Sequence, residues 1–312
     1  MNLVDLHCDT LYKAVTQNIS LDDNAMEVKC DIPCKSKRLQ CYAIWIPDDL
    51  SSDDAEKLFF TSSDMLEKEC KRLDISLVKQ NDKINDVFND NQSSAIFTVE
   101  NAKALNGKLE NVSIFAKLGI KIMTLTWNAS NQIGDGAGVD NPNGITDFGK
   151  IVVSEMEKNG IVVDISHASD RLFYDVAEIA SKPFVATHSN LRSVADNKRN
   201  LTDEQFKIIV QTGGIVGINL HKDFLSDKPE DACKYDIIRH IDRFLSFGGE
   251  NSICFGTDFD GCDLPKDIKG SETMDEICEM LLKHNYNEGI IRKIFYKNAL
   301  NFFENFDNGR IM

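Results

Sequence analysis

Short apolar runs recur along the chain, each closed by polar or turn residues and followed by a stretch with helical spacing. In order they cover residues 3–6, 41–46, 95–99, 122–125, 161–165, 184–186, 215–218 and 253–255. Several are rich in valine and isoleucine without polar alternation, the pattern of parallel strands covered on both faces. Between them, Asp147–Lys158 sets Phe148, Ile151, Val152, Val153 and Met156 at helical spacing, with Gly160 behind as a stop. Thr202 or Asp203 is placed to cap a helix through Phe206, Ile209 and Val210 that ends near Gly213. Residues 235–247 repeat the periodicity and end at Gly248-Gly249. Residues 273–306 read as two or more helices that pack on the last strand and close a floor.

Strands alternating with helices predict βαβ units with right-handed crossovers. Eight units can close a barrel or form an open doubly wound sheet, and two observations favour closure. No GxGxxG follows a strand; Gly134, Gly136 and Gly138 form a G-x-G-x-G loop without a strand directly before it. Polar residues also stand at the exits of five runs spread from first to last, which converge only if the sheet closes on itself. The expectation is a single α/β domain over residues 1–312, a (β/α)8 TIM barrel with C-terminal helices.

Those exits carry the chemistry. The first run leads into His7-Cys8-Asp9, where alternate strand residues share a side. The third leads to Glu100, the fifth to His167, the sixth to His188 and the eighth to Asp258. Neutral imidazoles and carboxylates are ordinary zinc ligands at roughly 2.0–2.2 Å. A carboxylate can also bridge two ions about 3.5–4 Å apart. A lone histidine at a strand end is usually a hydrogen-bonded structural residue, but here three of the six histidines directly follow apolar strands. His221 is a candidate fourth, set among charged neighbours; His240 and His284 fall in predicted helices and are expected to face solvent. Asp258-Phe259-Asp260-Gly261 lacks the spacing and final glutamate of a calcium loop. No GxSxG elbow or evident cysteine nucleophile is present. Cys30, Cys34 and Cys41 lack CxxC spacing and a nearby histidine, so a zinc site there is not expected.

Charge removes some partners. With 50 acidic and 35 basic residues, the net charge of −15 repels phosphate backbones and anionic lipid surfaces. No stretch approaches the ~18 apolar residues of a membrane span, and the start lacks the basic region of a signal peptide. Nine scattered cysteines read as reduced thiols, hence a cytoplasmic setting.

Six motifs in order resemble the membrane (renal) dipeptidase family of zinc peptidases. They are Val4-Asp5-Leu6-His7-Cys8-Asp9, Thr98-Val99-Glu100, Gly160-Ile161-Val162-Val163-Asp164-Ile165-Ser166-His167, Thr187-His188-Ser189-Asn190, Lys198-Arg199-Asn200-Leu201-Thr202-Asp203 and Phe255-Gly256-Thr257-Asp258-Phe259-Asp260-Gly261. The resemblance implies two zinc ions bridged by Glu100, one also held by His7 and Asp9, the other by His167 and His188. It implies a hydroxide shared by the ions, Asp258 handling the proton, and Arg199 binding the substrate's terminal carboxylate. The substrate implied is a dipeptide, in some members with a D-residue at its C-terminal side, and many members are homodimers. One position departs: where the family carries histidine after the fourth strand, this chain reads Thr124-Leu125-Thr126-Trp127-Asn128. Trp127 is expected to line the mouth and narrow the substrate range, or else to pack under the Gly134–Gly138 loop. Rival readings are another amide or lactam hydrolase on the same barrel, disfavoured by HxD in place of HxH, and a non-catalytic metal-binding barrel.

Overall fold

In a computed structural model, which describes residues 1–30 and 36–307, seven of the eight apolar runs become parallel strands. The strands are β1 (Leu3–Cys8), β2 (Arg38–Trp45), β3 (Ser76–Leu77), β4 (Ser93–Glu100), β5 (Ile120–Thr124), β6 (Val162–Asp164), β7 (Val216–Ile218) and β8 (Ile253–Phe255). Pairing runs β6-β5-β4-β2-β1-β8-β7, with the short β3 on β4. The two ends of this curled sheet meet through the sixth predicted run, which bridges Asp164 to Val185 and Ala186 to Val216. The protein is thus a (β/α)8-type barrel.

That sixth run falls short of a full strand. Its neighbours approach too closely for side chains: a Cβ on Gly217 would lie 1.9 Å from the Thr187 carbonyl oxygen, and one on Gly256 1.7 Å from the same atom. Backbone bonds do the closing, from Val185 N to Val163 O and from Gly217 N to Ala186 O. β3 was not anticipated, since two residues carry no readable period.

Two apolar layers hold the barrel. Inside, Val4, Leu6, Leu39, Cys41, Ile96, Ile122, Val162, Val185, Ile215 and Cys254 form one cluster. Phe302, Phe303 and Phe306 from the last helix, Asn298–Asp307, join that cluster and close its floor. Outside, the helices bury a larger cluster against the strands' other faces. Cys41 lies in the inner cluster, away from any metal role with Cys30; Cys34 lies outside the described residues.

The predicted helices form with the expected caps. Thr146 accepts from Gly149 N at the start of Asp147–Lys158, and Thr202 makes a reciprocal capping box with Gln205. The 235–247 period appears as Asp236–Ser246. His240 on that helix is a correction: it is fully buried rather than solvated. It sits on the helix's inward face with Ile237, Ile241 and Phe244. Its Nδ1 accepts from Leu191 N and its Nε2 donates to Leu225 O, so a polar ring is satisfied inside the core. Burial pushes its pKa down to about 4. His284 is exposed, as expected. Among the described residues, no helix is long and apolar enough to cross a membrane.

Candidate metal centre

Most of the candidate side chains are aimed by a departure from regular backbone at a strand exit. Between Asp5 and Cys8 the register of β1 on β2 shifts, so His7 and Asp9 reach the mouth through an irregularity rather than plain alternation. Glu100 is the last residue of β4. His167 and Asp258 lie beyond their strands with φ of 66° and 64°, left-handed conformations that cost non-glycine residues roughly 1–3 kcal/mol. Surrounding bonds hold them there. Ala137 N donates to His167 O at 2.7 Å, and Asp258 N to His7 O at 3.1 Å. The Ala137 bond comes from the G-x-G-x-G loop, which folds against the 127–128 backbone: a Cβ on Gly136 would lie 2.0 Å from Trp127 O. That loop therefore packs against the site.

The side chains converge. Glu100 Oε1 stands 2.7 Å from His167 Nε2 and 3.5 Å from His188 Nε2, while Oε2 stands 3.7 Å from His7 Nε2. His7 Nε2 is also 3.6 Å from Asp9 Oδ2 and 3.8 Å from Asp258 Oδ1. Two ligands on one ion at about 2.1 Å and a tetrahedral angle stand about 3.4 Å apart, so these spacings suit a shared cation. Three overlapping groups have donor atoms within 4.8 Å of one another: His7, Asp9 and Glu100; Glu100, His167 and His188; and His7, His188 and Asp258.

Hydrogen bonds fix where two of the imidazole protons lie. Asn128 Oδ1, an acceptor, is 3.0 Å from His167 Nδ1, so that nitrogen carries the proton. Thr187 Oγ1 donates to Asp164 Oδ2 at 2.6 Å and therefore accepts from His188 Nδ1 at 2.8 Å. Both Nε2 lone pairs are then bare, and they face each other at 3.0 Å beside a carboxylate oxygen. Lone pairs so arranged repel unless a cation sits among them. His7 Nε2 and Asp9 Oδ1 are likewise buried without a hydrogen-bond partner. The donor set and its unpaired atoms fit a metal.

Electrostatics agree. Burial, and then Asp9 nearby, drives the Glu100 carboxyl well above the usual range, and burial raises Asp9 as well. Burial opposes the charged form of His7, but Glu100, Asp9 and Asp258 outweigh it and carry His7 up to about 10. Burial drives His167 and His188 well below the ordinary imidazole value, which keeps them neutral. The buried carboxyls crowd one another, and a cation among them would favour their charged forms.

A cavity of about 250 Å³ opens over this cluster, lined by Asp9, Glu100 and His167 together with Asp258, Arg199, Trp127 and His221. Asp258 Oδ2 accepts from Asn219 Nδ2 at 2.9 Å. Arg199 is buried, its Nε has no partner, and its guanidinium lies over the Phe224 ring. Burial lowers it to about 10. Trp127 has both environments considered for it: its carbonyl lies under Gly136, while its half-buried ring lines the cavity beside His167 at 5.9 Å. His221 also lines the cavity but belongs to none of the metal groups; its Nδ1 accepts from Asp223 N. Sequence reasoning missed Asn128, Thr187, Asp164 and Asn219, which orient the candidate ligands and Asp258. Asp164 and Thr187 stood within the motifs quoted above and Asn128 beside Trp127, but nothing in the sequence gave them a role.

A family model described as membrane dipeptidase (peptidase family M19) matches residues 1–310. A Klebsiella pneumoniae relative, called an uncharacterized protein in the pqqA 5' region, is 29% identical over 216 residues, 66% of this chain and 80% of that one. Dipeptidase 3 of Mus musculus is 28% identical over 279 residues, 87% of this chain and 56% of its own length, so the chain spans about half of that relative. A solved metallo peptidase called dipeptidase AC has a TM-score of 0.89 at 23% identity, covering 97% of this chain and 98% of that one. A metallo peptidase from Rhodobacter sphaeroides, liganded with a phosphinate mimic of the dipeptide L-Ala-D-Ala, has a TM-score of 0.88 at 22% identity, covering 97% and 99%. At these identities the two structures establish a shared fold.

Proposed function

The chain belongs to the membrane dipeptidase family, and from that premise we propose that it is a metal-dependent dipeptidase holding two zinc ions that share Glu100. The observation that carries the reading is Glu100 itself, whose two oxygens face separate histidine groups. His7 and Asp9 complete one set of ligands, and His167 and His188 the other. When bound, the ions supply Lewis acidity and lower the pKa of a water towards ~7.

The chain's own residues do the remainder. Asp258, held by Asn219 and facing His7, takes the proton of the attacking water and returns it to the leaving amine. Arg199 is a buried cation with a free Nε at the cavity wall, suited to a bidentate grip on the substrate's terminal carboxylate. Trp127 has one donor and no titrating proton, so it serves as an apolar wall that narrows the range of side chains accepted. A reducing, cytoplasmic setting fits the buried thiols of Cys8, Cys41, Cys70 and Cys254.

The test is a panel of dipeptides and their C-terminal amides. Free acids should be cleaved, and amides should react roughly 10–100-fold more slowly, because they leave a buried charge unmatched. Equal rates on acids and amides would remove Arg199 from the carboxylate; no cleavage of any dipeptide would remove the activity.

A further inference from the structure

Around the barrel the structural order is β1, β2, β4, β5, β6, the 185–186 bridge segment, β7 and β8. The cavity lining divides along this order. Tyr12, Trp45 and Trp127 follow or end β1, β2 and β5, all on one half of the mouth. Arg199, Phe224 and Asp258 come from the loops after the bridge segment, β7 and β8, on the other half. The three aromatic rings touch in series: Tyr12 to Trp45 at 4.8 Å edge-on, then Trp45 to Trp127 at 4.9 Å. They form one continuous aromatic face, and the candidate metal ligands run from Asp9 and Glu100 on its half to His167 on the Arg199 half.

From this division we propose that the Tyr12–Trp45–Trp127 face is a specificity wall for the side chain of a dipeptide's N-terminal residue, selecting large apolar or aromatic groups. The inference rests on the dipeptidase reading for its orientation. With the carboxylate on Arg199 and the scissile bond over the metal ligands, the first residue's side chain is directed to the opposite half of the mouth. Stacked rings there offer an apolar, polarisable surface, and a phenyl or isobutyl group gains by leaving water against it. A short polar side chain gains nothing and exposes that surface. The second residue's side chain lies on the Arg199 side, where the smaller His221–Phe224 pair packs against the guanidinium and offers a more polar face than the two indoles.

The composition supplies a direct probe. Trp45 and Trp127 are the chain's only two tryptophans, so intrinsic indole fluorescence reports this wall alone. Two readouts apply to the metal-loaded protein: emission on titration with Phe-Ala, Ser-Ala and Ala-Phe, and kcat/KM for the same three. Phe-Ala should perturb emission at concentrations on the order of tenfold lower than Ser-Ala, and exceed it in kcat/KM by a similar ratio. Ala-Phe should show a smaller advantage. Trp45→Ala and Trp127→Ala should each shrink the Phe-Ala to Ser-Ala ratio, mainly through KM, while Trp45→Phe restores most of it. A ratio near one in the wild type, or unchanged in both alanine variants, overturns the wall. If no dipeptide is cleaved but the fluorescence order holds, the wall stands and the dipeptidase reading fails.

Discussion

Glu100 is the residue on which the proposed centre turns. One of its oxygens is 2.7 Å from His167 Nε2, the other 3.7 Å from His7 Nε2, and the side chain is buried. An amide keeps the shape but cannot bridge two cations as an anion, so Glu100→Gln should release most bound metal, read by elemental analysis. Asp258 makes a contrasting case. Asp258→Asn should retain metal yet lose turnover by a factor on the order of 10²–10⁴, the range for a positioned acid–base group; near-normal turnover would leave it as an orienter only. Asn128 acts one layer out. By fixing the proton on His167 Nδ1 it leaves Nε2 bare, and Asn128→Ala should weaken metal affinity roughly 10–100-fold in a chelator competition while Asn128→Asp largely preserves it. His7, Glu100, His167 and His188 could be picked out as candidates in the sequence because each stands within two residues of the end of an apolar run. Asn128, Thr187 and Asn219 could not, since a hydrogen-bond partner brought in by the fold carries no periodic mark.

At the scale of elements, the regular parts followed the apolar pattern closely and the irregular ones escaped it. Asp147–Lys158 and its Thr146 cap were readable because period and cap chemistry agree. The closing segment at 185–186 read as a strand, but glycines 217 and 256 allow a backbone approach no hydropathy pattern encodes. The helix Asp236–Ser246 hid its polar core residue in the same way, since His240 has two backbone partners, Leu191 and Leu225, from distant segments. That burial has a pH consequence. The His240 pKa falls to about 4 in the folded chain against about 6.5 unfolded, so the unfolded state binds the extra proton between those values. Stability is therefore full above pH ~6.5 and falls as pH drops towards ~4, by at most about 3 kcal/mol from this group. Denaturant unfolding at pH 7 and pH 5 checks it. The loss between the two pH values should be smaller in His240→Gln than in wild type, and an equal loss would assign the acid sensitivity elsewhere.

For the whole molecule, the proposed metal centre would couple folding to metal binding through the barrel mouth. Strands β1 and β4 and the segments after β6 and the 185–186 bridge each contribute candidate ligands to one buried cluster. Ions that bind only this folded arrangement stabilise it by mass action, so removing them with a chelator should lower Tm by roughly 5–15 °C. No change in Tm would mean that the cluster binds metal weakly or not at all. The barrel class was legible from eight runs and their polar exits, whereas the joint that closes it emerged only from backbone contacts. The proposal that two zinc ions sharing Glu100 support dipeptide hydrolysis is tested most directly by titrating metal-free protein with zinc while following cleavage of an unblocked dipeptide. Activity should rise from near zero and level off at about two equivalents per chain; a plateau at one equivalent, or no cleavage at any ratio, would contradict it.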